Sequence, residues 1–377
     1  MTELQLEQLA LTRREFASAR TLPGAVYGEA SVFALEQRSL FARGWICAAH
    51  VGALPAAGDY LVRQVAGESL LLVRGADAEI RVFFNVCRHR GTRLLDEAQG
   101  QGLARILCPY HAWSYRLDGQ LQHAPKMPET FAKSEHGLVP VRFGIHLGLI
   151  FVNLDERAAP LEQWLADLPD LSRYRMPDLI CGRRVEYEVR ANWKLICENY
   201  SECYHCPGAH PQLNDLTELI TRSERPMETG ACFNGGPMRL REGVDTMSTS
   251  GKRRLPRIPG LSEDAARHVH YYVLYPNLLL SPHPDYVLVH FLTPLAPDRT
   301  RVSCEWLVPP AALASTSQDF DDVVGFWDLT NRQDWQLCER AQAGVVSRGY
   351  RQGPYQTSED CVHSFDRWYA DRLASEL

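Results

Sequence analysis

Two short pairs of cysteine and histidine are the residues of this chain best suited to binding a metal. Cys87-Arg-His89 is followed by Cys108-Pro-Tyr-His111, which begins nineteen residues after His89. Two thiolates and two imidazoles from separate loops suit a [2Fe–2S] cluster in which the cysteines hold one iron and the histidines the other. Because imidazoles are neutral where thiolates are anionic, such a cluster accepts electrons more readily than an all-cysteine cluster.

Structural zinc is the alternative use of the same four side chains, since zinc also accepts two cysteines and two histidines. Zinc sites usually open with a CxxC pair or a helical HxxxH pair, and these two pairs, CxH and CxxH, follow neither pattern. The spacing therefore favours the iron–sulfur cluster.

The residues around both pairs are those expected where strands end in tight loops. Gly91 closes the first loop and Pro109 follows the second cysteine, so both loops can turn sharply. Apolar stretches at 80–86 and 103–107 predict strands that lead into the loops, and Asp118-Gly119 predicts a hairpin turn after the second. We therefore expect the ligands at the tips of β-hairpins.

The runs CRHRG and CPYHAWSYRLDG resemble the Rieske domain of the ring-hydroxylating oxygenase family. The resemblance implies a Rieske [2Fe–2S] cluster held by Cys87, His89, Cys108 and His111. A Rieske domain by itself only relays electrons, so the acceptor must be sought elsewhere in the chain.

A second pair of histidines, His205 and His210, follows a stretch with helical periodicity. Apolar residues recur there at helical spacing: Trp193, Ile196, Cys197 and Tyr200. Five positions on an ideal helix leave two side chains about 140° apart, so we expect Pro207-Gly208 to interrupt the helix and let the imidazoles approach each other. Two imidazoles and one carboxylate on one face of an iron leave positions open for dioxygen.

These histidines also have other interpretations. Neighbouring histidines are often only packing or hydrogen-bonding residues, and Cys203, His205, Cys206 and His210 together offer a zinc site. The combination with an upstream cluster favours iron, and the segment resembles the mononuclear iron motif of the same family. That resemblance implies His205 and His210 as iron ligands.

The third iron ligand implied by the resemblance is an aspartate on a late helix, about two turns before a Gln-x-Gly. Asp334 fits this position, with Gln342 and Gly344 after it. Asp328 and Glu339 are the alternative ligands, and an ordinary solvated helix charge is the alternative to any ligand role.

One position departs from the most familiar pattern of the family, in which an aspartate just before the first iron histidine bridges it to a cluster histidine. Here Glu202 stands three residues before His205, and a glutamate reaches one methylene further. Glu202 and Asn199, both in the segment ENYSECYHC, are the candidate catalytic residues beyond the metal ligands. This segment and the runs NRQDW and SRGY resemble the branch acting on quaternary ammonium compounds such as glycine betaine, carnitine and choline.

Composition and charge limit the class of protein. A chain of 377 residues allows two domains that each bury a core. The net charge of −6, without a basic stripe, argues against nucleic acid as a partner, and no apolar run reaches the length of a membrane span. The eleven cysteines are odd in number and several lie in ligand motifs or apolar helices, so we expect free thiols and a cytoplasmic protein.

The pattern along the chain predicts an α+β protein. Residues 1–43 look helical, 44–155 contain short strands with Gly and Asp turns, and later residues mix helices with long strands. Consecutive strands joined by short links imply an antiparallel sheet covered by helices. We therefore predict an all-β Rieske domain at 44–155, inserted before a catalytic domain of the helix-grip type formed by 1–43 and 156–377.

The resemblance implies the terminal oxygenase component of a Rieske non-haem iron system, a homotrimer that uses O2. Electrons from NAD(P)H must come from a separate flavin and iron–sulfur reductase, because no GxGxxG fingerprint follows a strand here. The expected reaction is hydroxylation or N-demethylation of a quaternary ammonium compound such as glycine betaine, carnitine, choline or a proline betaine. The alternatives are the same chemistry, or cis-dihydroxylation, on an aromatic acid, and an electron-transfer Rieske protein without oxygenase activity.

A quaternary ammonium group cannot donate a hydrogen bond, so its pocket should offer aromatic faces, each worth roughly 0.5–2 kcal/mol. Four aromatic residues on or beside predicted strands are candidates for this role: Tyr271, Tyr272, Tyr275 and Trp306. Ordinary core packing is the alternative for each of them.

Overall fold

The computed structural model describes residues 3–218 and 227–375, and these fall into two compact units. The insert unit is the continuous stretch Phe41–Gln163, whereas the larger unit combines the described residues of Met1–Leu40 and Trp164–Leu377. The span 44–155 predicted for the first domain lies within the insert unit.

The insert unit is built from short antiparallel strands. They are β1 (Ile46–His50), β2 (Tyr60–Val65), β3 (Glu68–Arg74), β4 (Ile80–Phe84), β5 (Gln99–Gly100), β6 (Ile106–Leu107), β7 (Ser114–Tyr115), β8 (Leu121–His123), β9 (Arg142–His146) and β10 (Leu149–Asn153). These strands pair in the orders β1-β10-β9, β4-β3-β2-β5 and β6-β7-β8. The turn between β2 and β3 is Ala66-Gly67, and both residues have positive φ, as a two-residue hairpin requires.

The helices of the chain lie mostly in the larger unit. They are α1 (Glu3–Thr12), α2 (Ala25–Gly28), α3 (Ala30–Glu36), α4 (Leu161–Trp164), α5 (Trp193–Tyr200), α6 (Cys206–Ala209), α7 (Pro211–Asn214), α8 (Ser317–Val345) and α9 (Asp360–Ala374). None of the helices in the described ranges is long and apolar enough to span a membrane.

One antiparallel sheet forms the centre of the larger unit. Its strands are β11 (Ile180–Val189), β12 (Glu228–Thr229), β13 (Phe233–Arg239), β14 (His268–Leu274), β15 (Leu278–Pro282), β16 (Val287–Ala296) and β17 (Arg299–Val308). Their order in the sheet, over the residues described, is β11-β17-β16-β15-β14-β13-β12. Helices α5, α8 and α9 all pack against this sheet, and α5 also packs against α8 and α9, which confirms the predicted α+β fold.

A buried ion pair connects the N-terminal segment to the core of the larger unit. Lys194 on α5 and Glu36 on α3 are both fully buried, and Lys194 Nζ lies 2.6 Å from a Glu36 oxygen. Trp193 and Tyr369 donate further hydrogen bonds to the Glu36 carboxylate, at 3.0 and 2.6 Å. Because these donors satisfy a carboxylate that would be costly to bury alone, α3 is an integral part of this core.

Two carboxyl groups lie within hydrogen-bonding reach of each other nearby: the half-buried Glu198 on α5 and the buried Asp366 on α9. Tyr27 donates to Glu198 at 2.7 Å and Tyr355 donates to Asp366 Oδ2 at 2.6 Å. In the described part of the chain, Asp366 Oδ1 is buried without an N–H or O–H donor. Burial raises the pKa of Glu198 to about 7 and raises that of Asp366 as well, so the pair holds a proton near neutral pH.

Candidate functional site

The two Cys–His loops of the insert unit fold in the same way. In each loop, the N–H four residues after the cysteine donates to the cysteine carbonyl: Gly91 to Cys87 at 3.0 Å and Ala112 to Cys108 at 3.2 Å. Gly91 and Ala112 both have positive φ, 72° and 55°, so each loop closes through a left-handed residue. The second loop joins the paired strands β6 and β7, as predicted for a ligand loop at a hairpin tip.

The four side chains are arranged as one pair of thiols and one pair of imidazoles. Cys87 and Cys108 are buried, unbonded to other cysteines, and close enough for their sulfurs to interact. The rings of His89 and His111 are exposed, with centroids 4.7 Å apart. In the described chain, these four residues do not gather around a single point as the ligands of one zinc ion do. The pairing fits a two-iron cluster with sulfur ligands on one iron and nitrogen ligands on the other.

Two aromatic residues that the sequence did not single out support these ligands. The Tyr115 oxygen accepts the Arg88 N–H at 3.0 Å, so its O–H is left to point at the Cys87 sulfur, 3.2 Å away. Trp113 stacks against the His89 ring with centroids 4.8 Å apart and planes inclined by 7°. Burial raises the pKa of the Cys87 thiol, and the hydrogen bond from Tyr115 counteracts this.

The histidine pair of the larger unit flanks a single helical turn. Helix α5 ends at Tyr200, and α6 begins at Cys206, directly after His205 and four residues before His210. The prediction that Pro207-Gly208 would interrupt a longer helix was therefore wrong. Pro207 lies in the first turn of α6, where its missing N–H costs nothing, and the chain changes direction before His205 instead.

His205, His210 and Asp334 converge, with their ligand atoms all within 4.8 Å of one another. Asp334 Oδ1 lies 2.8 Å from Nε2 of His210 and 3.2 Å from Nε2 of His205. The two imidazole rings are 5.2 Å apart and nearly perpendicular. Two imidazoles and one carboxylate are the donor set of non-haem Fe(II) oxygenases, so these residues fit a mononuclear iron.

The electrostatics of this group favour a positive charge between the three side chains. Burial lowers the pKa of His205, but hydrogen bonds with Asp334 and Glu202 outweigh it and raise the pKa to about 9. Burial likewise lowers the pKa of His210, and its contacts with Asp334 and Gln333 raise it overall. Burial raises the pKa of Asp334, yet its hydrogen bonds with the two imidazoles bring it below the ordinary value.

Each histidine has a different partner on the nitrogen that faces away from Asp334. Nδ1 of His205 contacts Oε1 of Glu202, and Nδ1 of His210 lies 2.8 Å from Oε1 of Gln333. The Asn199 amide lies 3.4 Å from Nε2 of His205. Glu202 and Asn199, the two candidate catalytic residues, are therefore both adjacent to His205.

The alternative ligands are occupied elsewhere. Asp328 accepts hydrogen bonds from Tyr187 and Arg332, both at 2.8 Å. Glu339 forms a salt bridge with Arg190 at 2.9 Å. Neither carboxylate belongs to the converging group.

The two cysteines beside His205 are joined to each other. Cys203 and Cys206 form a disulfide, whereas the sequence led us to expect free thiols throughout. The alternative zinc site of Cys203, His205, Cys206 and His210 was therefore wrong, because its two sulfur ligands are bonded together. The disulfide encloses Tyr204 and His205 in a small covalent ring.

A cavity of about 730 Å³ adjoins the three converging residues. Its wall includes Asn199, Tyr200, Glu202, His205, His210, Asn234, Tyr271, Trp327, Thr330 and Asp334. Tyr271 is flanked by Tyr200 and Trp327, each with ring centroids 6.1 Å from it and steeply inclined planes. The Tyr271 hydroxyl is buried and finds no hydrogen-bond partner among the residues described.

Of the four aromatic residues proposed for the pocket, only Tyr271 lines this cavity. Tyr272 donates its hydroxyl to Glu228 at 2.6 Å, Tyr275 packs against Phe365, and Trp306 is fully buried in the core. Core packing was the correct interpretation for these three.

Helix α8 supplies an aromatic wall residue that the sequence analysis missed. Trp327, Thr330 and Asp334 are spaced i, i+3 and i+7, so they share one face of the helix, and all three line the cavity. Given Asp334 as a ligand, the i to i+7 spacing of Trp327 and Asp334 is the sequence signal that identifies Trp327 as a residue of the same helix face.

Comparison with known proteins finds two domain families in this chain. Residues 44–141 match the model of the Rieske [2Fe-2S] domain, and 178–375 match that of the ring-hydroxylating alpha subunit (catalytic domain). The glycine betaine monooxygenase oxygenase subunit of Chromohalobacter salexigens is 35% identical, over 97% of this chain and 88% of that protein.

Two further relatives belong to the same group. The carnitine monooxygenase oxygenase subunit of Escherichia coli K12 is 33% identical, over 88% of this chain and 86% of that one. A crystal structure of the quaternary ammonium Rieske monooxygenase CntA with an inhibitor has a TM-score of 0.82 at 28% identity and covers both chains completely.

The order of the two matched domains confirms the predicted architecture, and the catalytic-domain match rules out a protein that only transfers electrons. The cofactors of such proteins are the [2Fe–2S] cluster and a mononuclear iron, with O2 as co-substrate. The chain therefore belongs to the Rieske non-haem iron oxygenases, as an alpha subunit of the branch that includes the glycine betaine and carnitine monooxygenases.

Proposed function

We propose that this chain is the terminal oxygenase that inserts one atom of O2 into a quaternary ammonium compound such as glycine betaine, carnitine, choline or a proline betaine. The observation that carries the proposal is the convergence of His205, His210 and Asp334 on the wall of a cavity lined by aromatic rings. The names of the relatives, glycine betaine and carnitine monooxygenase, support this substrate class.

In this proposal, Cys87 and Cys108 hold one iron of the cluster, and His89 and His111 hold the other. His205, His210 and Asp334 hold the mononuclear iron. When bound, these groups supply the electrons and the site at which O2 is reduced, so that one oxygen atom enters the substrate and the other leaves as water.

The cavity residues bind and orient the substrate. The faces of Tyr200, Tyr271 and Trp327 attract the ammonium group through their quadrupoles. The unpartnered hydroxyl of Tyr271 donates to a carboxylate or hydroxyl oxygen of the substrate. If the hydroxylated carbon is an N-methyl group, the product is a hemiaminal, which splits into formaldehyde and the demethylated amine.

The proposal extends to partners and assembly. Electrons from NAD(P)H reach the cluster through a separate flavin and iron–sulfur reductase. Three subunits assemble head to tail in the cytoplasm, and Glu202 connects His205 to His111 of the partner subunit. Residues 44–155 form the cluster domain, and 1–43 with 156–377 form the catalytic domain.

Turnover with a compatible reductase tests the proposal. We expect a betaine, carnitine or choline to stimulate NADH and O2 consumption with matching formation of formaldehyde or hydroxylated product, and about three irons per chain by metal analysis. Turnover of aromatic acids without turnover of any ammonium compound would support the aromatic alternative and overturn the proposed substrate class.

A further inference from the structure

A chain of hydrogen bonds runs from a backbone carbonyl of α8 to His210. The Thr330 hydroxyl donates to the Phe326 carbonyl at 3.0 Å. The Gln212 amide nitrogen lies 3.3 Å from the Thr330 oxygen and 2.7 Å from Oε1 of Gln333. The same Gln333 oxygen lies 2.8 Å from Nδ1 of His210.

The Phe326 carbonyl fixes which group donates in each of these hydrogen bonds, because a backbone carbonyl can only accept. Thr330 donates its only hydrogen to Phe326, so its oxygen must accept from the Gln212 amide. The second N–H of that amide points at Gln333, so the atom of Gln333 that it meets must be the oxygen. That oxygen accepts in turn from Nδ1–H of His210.

The tautomer of His210 follows from this direction. With that proton kept on Nδ1, a metal ion that replaced the proton shared between Nε2 and Asp334 would meet the lone pair of Nε2, the nitrogen that faces Asp334. Gln333 thus accepts from Nδ1 of His210 as Glu202 does from Nδ1 of His205, but through a neutral amide in place of a carboxylate.

We propose that Gln333, held by Gln212, is a positioning residue that fixes the tautomer and ring orientation of His210 for metal binding. This inference rests on the proposed role of His210 as an iron ligand. It assigns no contact between Gln333 and the iron or the substrate. Outer partners of metal-bound histidines typically contribute 10–100-fold to metal affinity.

The matched experiment compares three variants of α8. Gln333→Met keeps the length of the side chain but has no strong acceptor, and Gln333→Glu keeps the acceptor. Gln336→Met makes the same chemical change at an exposed position of the same helix. Fe(II) affinity is measured by chelator competition, ligand-field circular dichroism reports the coordination of the bound iron, and the cluster absorption checks the fold.

We expect Gln333→Met to bind Fe(II) about 10–100-fold more weakly with an altered ligand-field spectrum. Gln333→Glu and Gln336→Met should stay within about threefold of wild type. Wild-type affinity in Gln333→Met, or equal losses in Gln333→Met and Gln333→Glu, would overturn the inference. A wild-type protein that binds iron only in its cluster would instead contradict the proposed function.

Discussion

Oε1 of Glu202 lies 2.5 Å from Nδ1 of His205, while the other oxygen of the same carboxylate accepts the backbone N–H groups of Tyr204 and His205. Both oxygens are thus engaged in the loop that carries the histidine. A carboxylate offers about four lone-pair positions, so Glu202 retains the capacity to accept another N–H, as its proposed contact with His111 of the partner subunit requires. The longer side chain, where the family usually has an aspartate, is compatible with both roles.

Replacing Glu202 by Gln should leave both metals bound but slow reoxidation of the reduced cluster by orders of magnitude. The amide keeps one acceptor and loses the other, so it cannot hold the two histidines in register. Glu202→Asp, one methylene shorter, should recover only part of the rate. Stopped-flow absorption of the cluster measures this step, with Glu359→Gln as a control near Glu202. A wild-type rate in Glu202→Gln would leave this residue only its local role in the loop.

Replacing Asp334, His205 or His210 by Ala should remove about one iron per chain and abolish turnover, because no other described histidine, cysteine or carboxylate belongs to the converging group. The absorption of the cluster should persist, since its ligands lie in different loops. Metal analysis with Asp328→Ala as the control checks this, because Asp328 lies on the same helix and bonds Tyr187 and Arg332. Full iron content in Asp334→Ala would mean that the third ligand lies elsewhere.

Tyr115→Phe should lower the reduction potential of the cluster. Reduction adds negative charge, and the O–H directed at the Cys87 sulfur stabilises that charge. Loss of a hydrogen bond worth about 0.5–1.5 kcal/mol corresponds to roughly 20–60 mV. Spectroelectrochemical titration measures the shift, with the exposed His123→Ala as a control in the same unit. An unchanged or raised potential in Tyr115→Phe would show that the hydroxyl does not donate to the sulfur.

Trp327→Leu should weaken discrimination between an ammonium substrate and its neutral tert-butyl analogue, because only the cation gains from the aromatic face. The ratio of the two binding constants should fall by about 2–30-fold, which corresponds to roughly 0.5–2 kcal/mol. Because both binding constants are measured on the same variant, their ratio is unaffected by any loss of folded protein. Trp306→Leu, at a buried tryptophan outside the cavity, should leave the ratio unchanged. If both variants lose discrimination equally, Trp327 has no specific part in cation binding.

The carboxyl pair Glu198 and Asp366 should make the larger unit less stable as pH rises from about 4.5 to about 7. The folded pKa is raised, so in this window the native state holds a proton that the unfolded chain has released. Glu198→Gln supplies a permanent N–H donor in place of that proton. We expect it to flatten the pH dependence and to raise the free energy of unfolding by on the order of 1–3 kcal/mol near pH 8.

Urea unfolding at several pH values measures this effect. The exposed Glu242→Gln serves as the control and should reproduce the wild-type profile. If Glu198→Gln retains the wild-type loss of stability between these pH values, the carboxyl pair does not share a proton.

The sequence predicted that the side chains of the two Cys–His loops come together, because each pair is local in the sequence. Cys87 and His89 are two residues apart, so their spacing alone constrains the site. Asp334 lies more than a hundred residues from His210, and only the resemblance to a family connected them. The sequence predicts a helix that continues to Pro207, whereas α5 ends at Tyr200. A proline is tolerated in the first turn of a helix, so Pro207 lies near the start of α6 and does not mark the end of α5.

The residues that line the cavity were harder to predict, because successive side chains of a strand point to opposite faces of the sheet. Tyr271 and Tyr272 are adjacent on β14, so only one of them could line the cavity. Trp306 lies in the part of β17 where consecutive residues are all buried. Polar and apolar residues do not alternate there, so the sequence does not show which face of the strand meets the cavity. The Cys203–Cys206 disulfide was missed because sequence does not distinguish bonded from free cysteines in a ligand motif.

The position of Trp327 and Asp334 on one uninterrupted helix limits how this enzyme can change during evolution. The two residues are seven positions apart, or about 10 Å along the axis of α8. One residue inserted between them would rotate Trp327 about 100° away from the cavity while Asp334 stayed in place. New substrates can therefore be accommodated by substitutions on this face of α8, or by loops of altered length elsewhere, but not by single-residue insertions or deletions between Trp327 and Asp334.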